Sequence, residues 1–579
     1  MHRWFKVGLS AVAFSLVASA ALGQSLWDKY RPVTEAMIQK PEPGEWLNWR
    51  RTLDLQGHSP LVQINRNTVS RLELAWAAPM PAPGLNEIAP LVHDGVMFIA
   101  SNNNIVQAYN AVTGDLLWTY THKVPAIKGG YHSNQARRQK NSISLYKDRV
   151  ILTTVDSQLI SLEAKTGKPV WAKQVLNWEK GYSYTAGPFV AEGKIITGTS
   201  GCSITGTAGG CYILAHDADT GEELWRVNTL ADSSRPEVEA SWKGVPLENR
   251  WGATPWVTGS YDADLDLTYW GTGMPIPYNE IIRGTKDGDV LYTNSTLAID
   301  AKTGKIVWYF QHLPRDNWDL DHPFERVLVD SMVNGKMTKM LVSIPGKTGI
   351  AYGLDRTTGK FLWSQETVYQ NTVSKIDPTT GRATPNEKII PTQIGQEVLF
   401  CPAISGGKLW MAVAYSPQTN LLFAPLNETC QTLKPRTQDF LPGEAVGGIQ
   451  SGPRRLAPDR DKAGAVFALD VATGKIKWTY RQRATISSSI LSTSGGLMFV
   501  GDSARYFMAL DQKTGDVLWK TRLNAPIGGY PMSYEVNGVQ YIAVPTGDNT
   551  HANAASLFPE IPYVSGSNSV YVFKVRGAK

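Results

Sequence analysis

The chain has 579 residues, with 57 Lys plus Arg against 51 Asp plus Glu, a formal charge of +6. Apolar residues make up 42% and charged residues 19%, too much core-forming material for a disordered chain. The weak net charge excludes the dense basic surface of a nucleic-acid binder.

At the amino end, Arg3 and Lys6 precede an apolar run from Val7 to Leu22, and Ala21-Leu22-Gly23 forms a small-x-small cleavage signal. This predicts a secretory leader over 1–23, cut before Gln24, and export to the periplasm. The run is short for a membrane span, and no cysteine sits beside the cut to take a lipid. Residues 24–579 are then one mature domain, with no later stretch long and apolar enough to span a bilayer. Residues 27–40 predict one short helix, and VSRLELAW (69–76) reads as the second half of a hairpin.

One pattern then recurs seven times: AYNAVTGDLLW (108–118), SLEAKTGKPVW (161–171), AHDADTGEELW (215–225), AIDAKTGKIVW (298–308), GLDRTTGKFLW (353–363), ALDVATGKIKW (468–478) and ALDQKTGDVLW (509–519). Each copy predicts a strand, a T-G turn and a second strand ending in Trp. The turn Gly can take positive φ, and the Asp or Asn before it can bond turn amides. The Trp is large enough to dock on the next unit. The shorter Trp-to-Trp spacings, 41 to 55 residues, match one four-stranded propeller blade. The two long gaps, 225–308 and 363–478, hold insertions or a degenerate blade, and Phe400 to Pro425 reads as further strands. SVYVFKV (569–575) is a strand with no partner downstream. Pairing it with 69–76 would close the ring and remove free edges. The expected fold is therefore all-β, an eight-bladed β-propeller; an unclosed stack is the alternative.

Four cysteines, Cys202, Cys211, Cys401 and Cys430, suit two disulfides in an exported chain. Of the three pairings, Cys202–Cys211 and Cys401–Cys430 close the shortest loops and are favoured. No C-x-x-C-H occurs, so no covalently attached haem is expected.

Four motifs go further: NWDLDHPFE (317–325), GATPWVTGSYDADLDLTYWGTG (252–273), SYTAGPFVAEGKIITGTSGCS (183–203) and IPGKTGIAYGLDRTTG (344–359). With the Trp repeat they resemble the quinoprotein alcohol dehydrogenases, periplasmic eight-bladed propellers that hold pyrroloquinoline quinone (PQQ) and a metal ion on the central axis. The resemblance spans nearly the whole mature chain and implies an enzyme that oxidises an alcohol. It makes Asp319 the base that accepts the alcohol proton and Trp256 the flat floor beneath the quinone. Thr254 becomes a polar contact, and Thr185 and Ser200 become hydroxyl donors to cofactor carboxylates. Lys347 is placed at the quinone carbonyls, and Cys401 and Cys430 have the family's disulfide spacing. For each residue a plain structural role competes: a turn-capping Asp, a core Trp, a solvated Lys.

Departures from the family pattern accompany the matches. Ser203 stands where the family has a Glu metal ligand, and Met274 where it has Asn; a hard cation prefers oxygen to thioether. Leu409 falls at the place of a quinone-touching Asn. The adjacent-cysteine pair that covers the quinone is absent, and Arg137, Arg138 and Lys140 crowd the region of a cofactor-binding Arg. Asp321, two residues after Asp319, often marks lanthanide use in the family. With Asp319, Asp321 and Ser203 as the expected ligands, Ca²⁺ is favoured and a lanthanide is the alternative. The pattern looks more like the branch acting on sorbose, sorbosone and other large alcohols. A soluble cytochrome c or similar acceptor would take the electrons. A non-enzymatic propeller of the outer-membrane assembly type, and a degenerate quinoprotein without turnover, are the competing readings.

Overall fold

The computed structural model describes residues 26–82, 84–124, 143–441, 443–549 and 553–578. It is mostly β, built from four-stranded antiparallel sheets whose strands follow one another in chain order. Seven of these units span 91–121, 144–174, 189–228, 260–311, 327–366, 414–482 and 491–522. The next joins three carboxyl-terminal strands, Met532–Val536, Val539–Thr546 and Ser569–Val575, to the amino-terminal strand Leu72–Pro79. There Leu72 pairs with Val575 and Pro79 with Ser569, so the two ends of the chain share one sheet and the carboxyl-terminal strand is paired on both sides. Eight such units among the described residues are consistent with eight blades.

The T-G turns explain why each unit needs the next. The ring of Trp76 packs on Gly114, Trp118 on Gly167, Trp171 on Gly221, Trp225 on Gly304, Trp308 on Gly359, Trp363 on Gly474 and Trp478 on Gly515. Trp519 returns to the seam sheet, edge-on to Phe573 at 5.6 Å. Several indole N–H groups also donate across the boundary, as from Trp225 to the Ala301 carbonyl at 2.9 Å and from Trp363 to Val471 at 3.0 Å. Gly359 shows why the turn residue is glycine: its φ is +76°, and a Cβ there would lie 2.6 Å from the Trp308 ring. Burying one Trp ring removes roughly 150–250 Å² from water, on the order of 4–6 kcal/mol before entropy is counted.

The inner strands are buried on both faces between neighbouring units, as in Val96–Ser101 and Leu497–Gly501. The outermost strands, such as Leu116–Thr121, are only half-buried. The two long Trp-to-Trp gaps hold insertions and no additional blade. The first carries the helices Pro236–Ser241 and Glu280–Arg283. The second carries the hairpin Val373–Ile376/Ala383–Pro385 and a three-stranded sheet ending in Ile449–Leu456. Both favoured disulfides are present, Cys202–Cys211 and Cys401–Cys430.

Two features differ from expectation. The helix expected over 27–40 is interrupted: Leu26 and Trp27 are helical, 30–34 are not, and a second helix is Glu35–Gln39, capped by Thr34; Pro32 cannot donate within a helix, and Val33 instead pairs with Lys147. Residues 50–59 run across the inner strands of several units. Tyr261 donates to the Leu53 carbonyl, Leu328 to Asp54, Tyr415 to Gln56 and Ser492 to Gly57. His58–Ser59 adds a parallel strand to Leu491–Thr493. No helix among the described residues is long and apolar enough to cross a membrane.

Candidate functional site

The motif residues lie at equivalent places in successive units. Thr185, Trp256, Asp319 and Asp321 precede the first strands Phe189–Ala191, Ser260–Asp262 and Val327–Val333. Ser200, Met274 and Lys347 follow the second strands Lys194–Gly198, Leu267–Gly271 and Lys336–Ser343. First and second strands pair antiparallel, so a first-strand start and a second-strand end share one rim. The topology thereby gathers four sequence-distant segments on one face.

Within that rim the 317–325 segment is tightly tied. Asp316 accepts from the Trp318 amide at 2.8 Å with one oxygen, and from the Leu320 amide at 2.8 Å and Asn294 at 2.9 Å with the other. Asp319, between those two amides, has φ +63°, a left-handed conformation uncommon for any residue but Gly. Lys347 Nζ lies 2.9 Å from Asp319 Oδ1, 2.9 Å from the Asp319 carbonyl and 2.8 Å from Asp321 Oδ2. Asp321 Oδ1 accepts from the Met274 amide at 3.2 Å and from Trp256 Nε1 at 3.4 Å. Gly273 leaves room for this contact, since a Cβ there would sit 2.5 Å from Asp321 Oδ1.

All three charged side chains are buried, at 7%, 4% and 5% exposure for Asp319, Asp321 and Lys347. Burial drives Asp319 up; Lys347 opposes this and Asp321 adds to it, leaving the carboxyl at about 8. Burial works against the Lys347 charge, but the two aspartates outweigh it and hold the ammonium above the ordinary lysine range. Burial also pushes neighbouring His322 down to about 3, so its ring is neutral.

Trp256 is partly exposed, and Phe324 stands edge-on to it, ring centroids 5.5 Å apart at 86°. The Thr254 carbonyl accepts from the Gly273 amide at 3.0 Å. Thr185 and Ser200 hydroxyls lie 2.6 Å apart. The neighbouring Ser183 hydroxyl is buried and has no partner among the described residues. Ser203 follows Cys202, whose carbonyl accepts from the Gly252 amide at 2.9 Å, and its own carbonyl accepts from Val446. Leu409 packs in the apolar cluster that contains Phe324 and borders Trp256. Arg137, Arg138 and Lys140 lie outside the described residues.

Three features of the site carried no signal in the sequence reading. Lys408 and Glu325 form an ion pair at 2.9 Å with neither side chain exposed. Glu87, 3% exposed, lines a narrow cavity with Trp49, Ala186, Val257, Thr258 and Tyr530. Asp316 is the third. Two larger open pockets lie elsewhere, one around Asp54, Asp262 and Arg356, the other around Lys243, Asp289 and Arg382.

The residues fit a planar, carboxylate-bearing quinone. Trp256 offers a flat apolar face held from below, and Thr185, Ser200 and the unpartnered Ser183 offer hydroxyl donors. They do not fit the expected metal ion. Both Asp321 oxygens and one Asp319 oxygen already accept from N–H donors, position 203 is a neutral hydroxyl and position 274 a thioether. Ca²⁺ takes about six to eight oxygen ligands. Among the described residues the grouping of three His, Cys or carboxylate donors within 4.8 Å is elsewhere, at Glu45, His93 and Asp94. There Arg31 lies 2.7 Å from Asp94 and already balances the charge.

Comparison with known proteins identifies the family. Residues 46–394 and 483–542 match the PQQ family model described as glucose/ethanol/alcohol dehydrogenase, beta-propeller domain. The chain is 33% identical over 530 residues to quinohemoprotein alcohol dehydrogenase ADH IIB of Pseudomonas putida, covering 89% of this chain and 75% of that protein. It is 32% identical to quinoprotein alcohol dehydrogenase PedH of Pseudomonas putida, covering 89% and 88%. Among solved structures, a europium-containing methanol dehydrogenase superposes with a TM-score of 0.83 at 28% identity, covering 93% of this chain and 99% of that one. The chain belongs to the PQQ-dependent quinoprotein alcohol dehydrogenase family.

Proposed function

We propose that this chain is an exported, eight-bladed quinoprotein that oxidises a polyol, sugar or bulky alcohol to the aldehyde or ketone and passes electrons to a separate acceptor such as cytochrome c. Residues 1–23 act as the export leader, and 24–579 work in the periplasm. The observation that carries the reading is the buried Asp319–Lys347–Asp321 cluster beside a partly exposed Trp256. A scaffold propeller has no use for three buried ionisable side chains beside a partly exposed indole.

The side chains divide the work. Trp256, braced by Phe324, sets the plane of the cofactor, and Thr185 and Ser200 hold its carboxylates. PQQ, when bound, supplies the two-electron acceptor for alcohol oxidation. Asp319 is the base: its free oxygen takes the hydroxyl proton, and Lys347 steadies the carboxylate as charge shifts. Burial excludes water from that transfer. The preference for a larger alcohol is supported by the absence of an adjacent-cysteine lid in the sequence.

Reconstitution of the mature chain with PQQ, followed by dye reduction over small alcohols, polyols and bulky secondary alcohols, tests the reading. Turnover is expected with a large alcohol and lost in Asp319→Asn. An Asp319→Asn protein with undiminished turnover would exclude Asp319 as the base.

A further inference from the structure

We propose that the Lys347 ammonium is the resident cation of the Asp319–Asp321 pair, and that this chain takes up its quinone without a metal ion. The proposal rests on the quinone reading above and deepens it.

The first ground is geometric. An ammonium has three N–H donors, and here all three are spent on this pair: the Asp319 carboxylate and carbonyl at 2.9 Å each, and the Asp321 carboxylate at 2.8 Å. The cation gathers oxygens from both acids, as a small metal ion would. The second ground is the donor set. Asp321 has both oxygens occupied, its Oδ1 by the Met274 amide and Trp256. Ser203 adds no charge, and the Met274 sulfur is a poor partner for a hard cation. The third ground is electrostatic. Lys347 is 5% exposed, so a divalent ion on the same carboxylate oxygens would face a buried like charge with little water to screen it. Ammonium and metal therefore compete for one place, and the chain has filled it with a side chain tethered by its own backbone: the Lys347 amide donates to the Asp321 carbonyl at 2.9 Å.

The test is quinone binding to the full mature chain, stripped with EDTA and titrated with PQQ by tryptophan fluorescence, in EDTA, Ca²⁺ and La³⁺ in parallel. Metal retained by the complex is measured by mass spectrometry. The expected result is the same Kd in all three buffers and far less than one equivalent of bound metal. Binding only with Ca²⁺ or La³⁺, with one equivalent retained, overturns the proposal and leaves the quinone reading standing. No binding in any buffer overturns both. Lys347→Met, checked for folding by circular dichroism, is expected to lose binding in EDTA and regain part of it with Ca²⁺. Metal-free binding by that variant at the wild-type Kd also overturns the proposal.

Discussion

Lys408 Nζ lies 2.9 Å from Glu325 Oε2, and both side chains are fully buried. The other Glu325 oxygen accepts from the Val413 amide at 2.9 Å, and the ammonium sits 4.4 Å from the Phe324 ring centroid. Phe324 in turn stands edge-on to Trp256. The pair thus fixes the ring that braces the cofactor floor, two residues removed from any chemistry. Lys408→Met should cost about 3–5 kcal/mol in urea unfolding, because the buried Glu325 carboxylate loses its ion-pair partner. Adding Glu325→Gln should return part of that loss. A double variant whose cost equals the sum of the Lys408→Met and Glu325→Gln costs would show that the pair is not coupled.

Asp319 predicts a pH dependence with opposite signs for activity and stability. Burial holds its carboxyl up at about 8 against the pull of Lys347, so the ionised form that pairs with Lys347 and serves as base grows as pH rises. kcat/KM should rise with pH until that value and then level off. Stability runs the other way. The folded state holds a proton that the unfolded chain, near 3.8, has lost. Its contribution is full below the unfolded value and disappears as pH rises through the folded one. Asp319→Asn should remove both slopes. Wild-type kcat/KM flat from acid to alkaline pH would contradict the assignment.

The blade order was readable because the repeat encodes a contact. A Trp at one fixed place and a Gly at another are the two sides of the same boundary, so their spacing reports the ring. The seam was readable from two unpaired strands, 69–76 and 569–575, at opposite ends. The crossing of residues 50–59 was not, because it is made by backbone bonds such as Tyr261 to Leu53 and Ser492 to Gly57, which leave no periodic trace in side chains. Asp319, Lys347 and Trp256 were marked by motif resemblance, yet their mutual geometry was hidden. A sequence cannot say that one lysine spends all three donors on two aspartates. Lys408 reads like any surface lysine until the fold surrounds it.

Trp256 should separate floor from fold. Trp256→Phe keeps a flat face and should weaken PQQ binding only slightly. Trp256→Ala should weaken it by at least about 1 kcal/mol, roughly fivefold or more in Kd, from loss of stacking. The residue is only partly buried, so the urea midpoint should move little in either variant. A fall in midpoint with unchanged Kd would make Trp256 a core residue and no floor.

The two disulfides should differ in what they protect. Cys401–Cys430 closes 29 residues and Cys202–Cys211 closes 9; chain entropy then assigns them about 3.6 and about 2.6 kcal/mol. The shorter one is tied to the segment that carries the cofactor floor. The Cys202 carbonyl holds the Gly252 amide at the head of the segment that carries Thr254 and Trp256, and Ser200 lies two residues before it. Replacing Cys202 and Cys211 by Ser should therefore weaken PQQ binding more than replacing Cys401 and Cys430 by Ser. The longer bridge should cost more in unfolding free energy. Measuring Kd and urea midpoint on both double variants checks the crossing of the two orders: the pair that loses more stability should lose less affinity, because loop closure acts on the unfolded chain whereas the Cys202 carbonyl acts on the shape of the site.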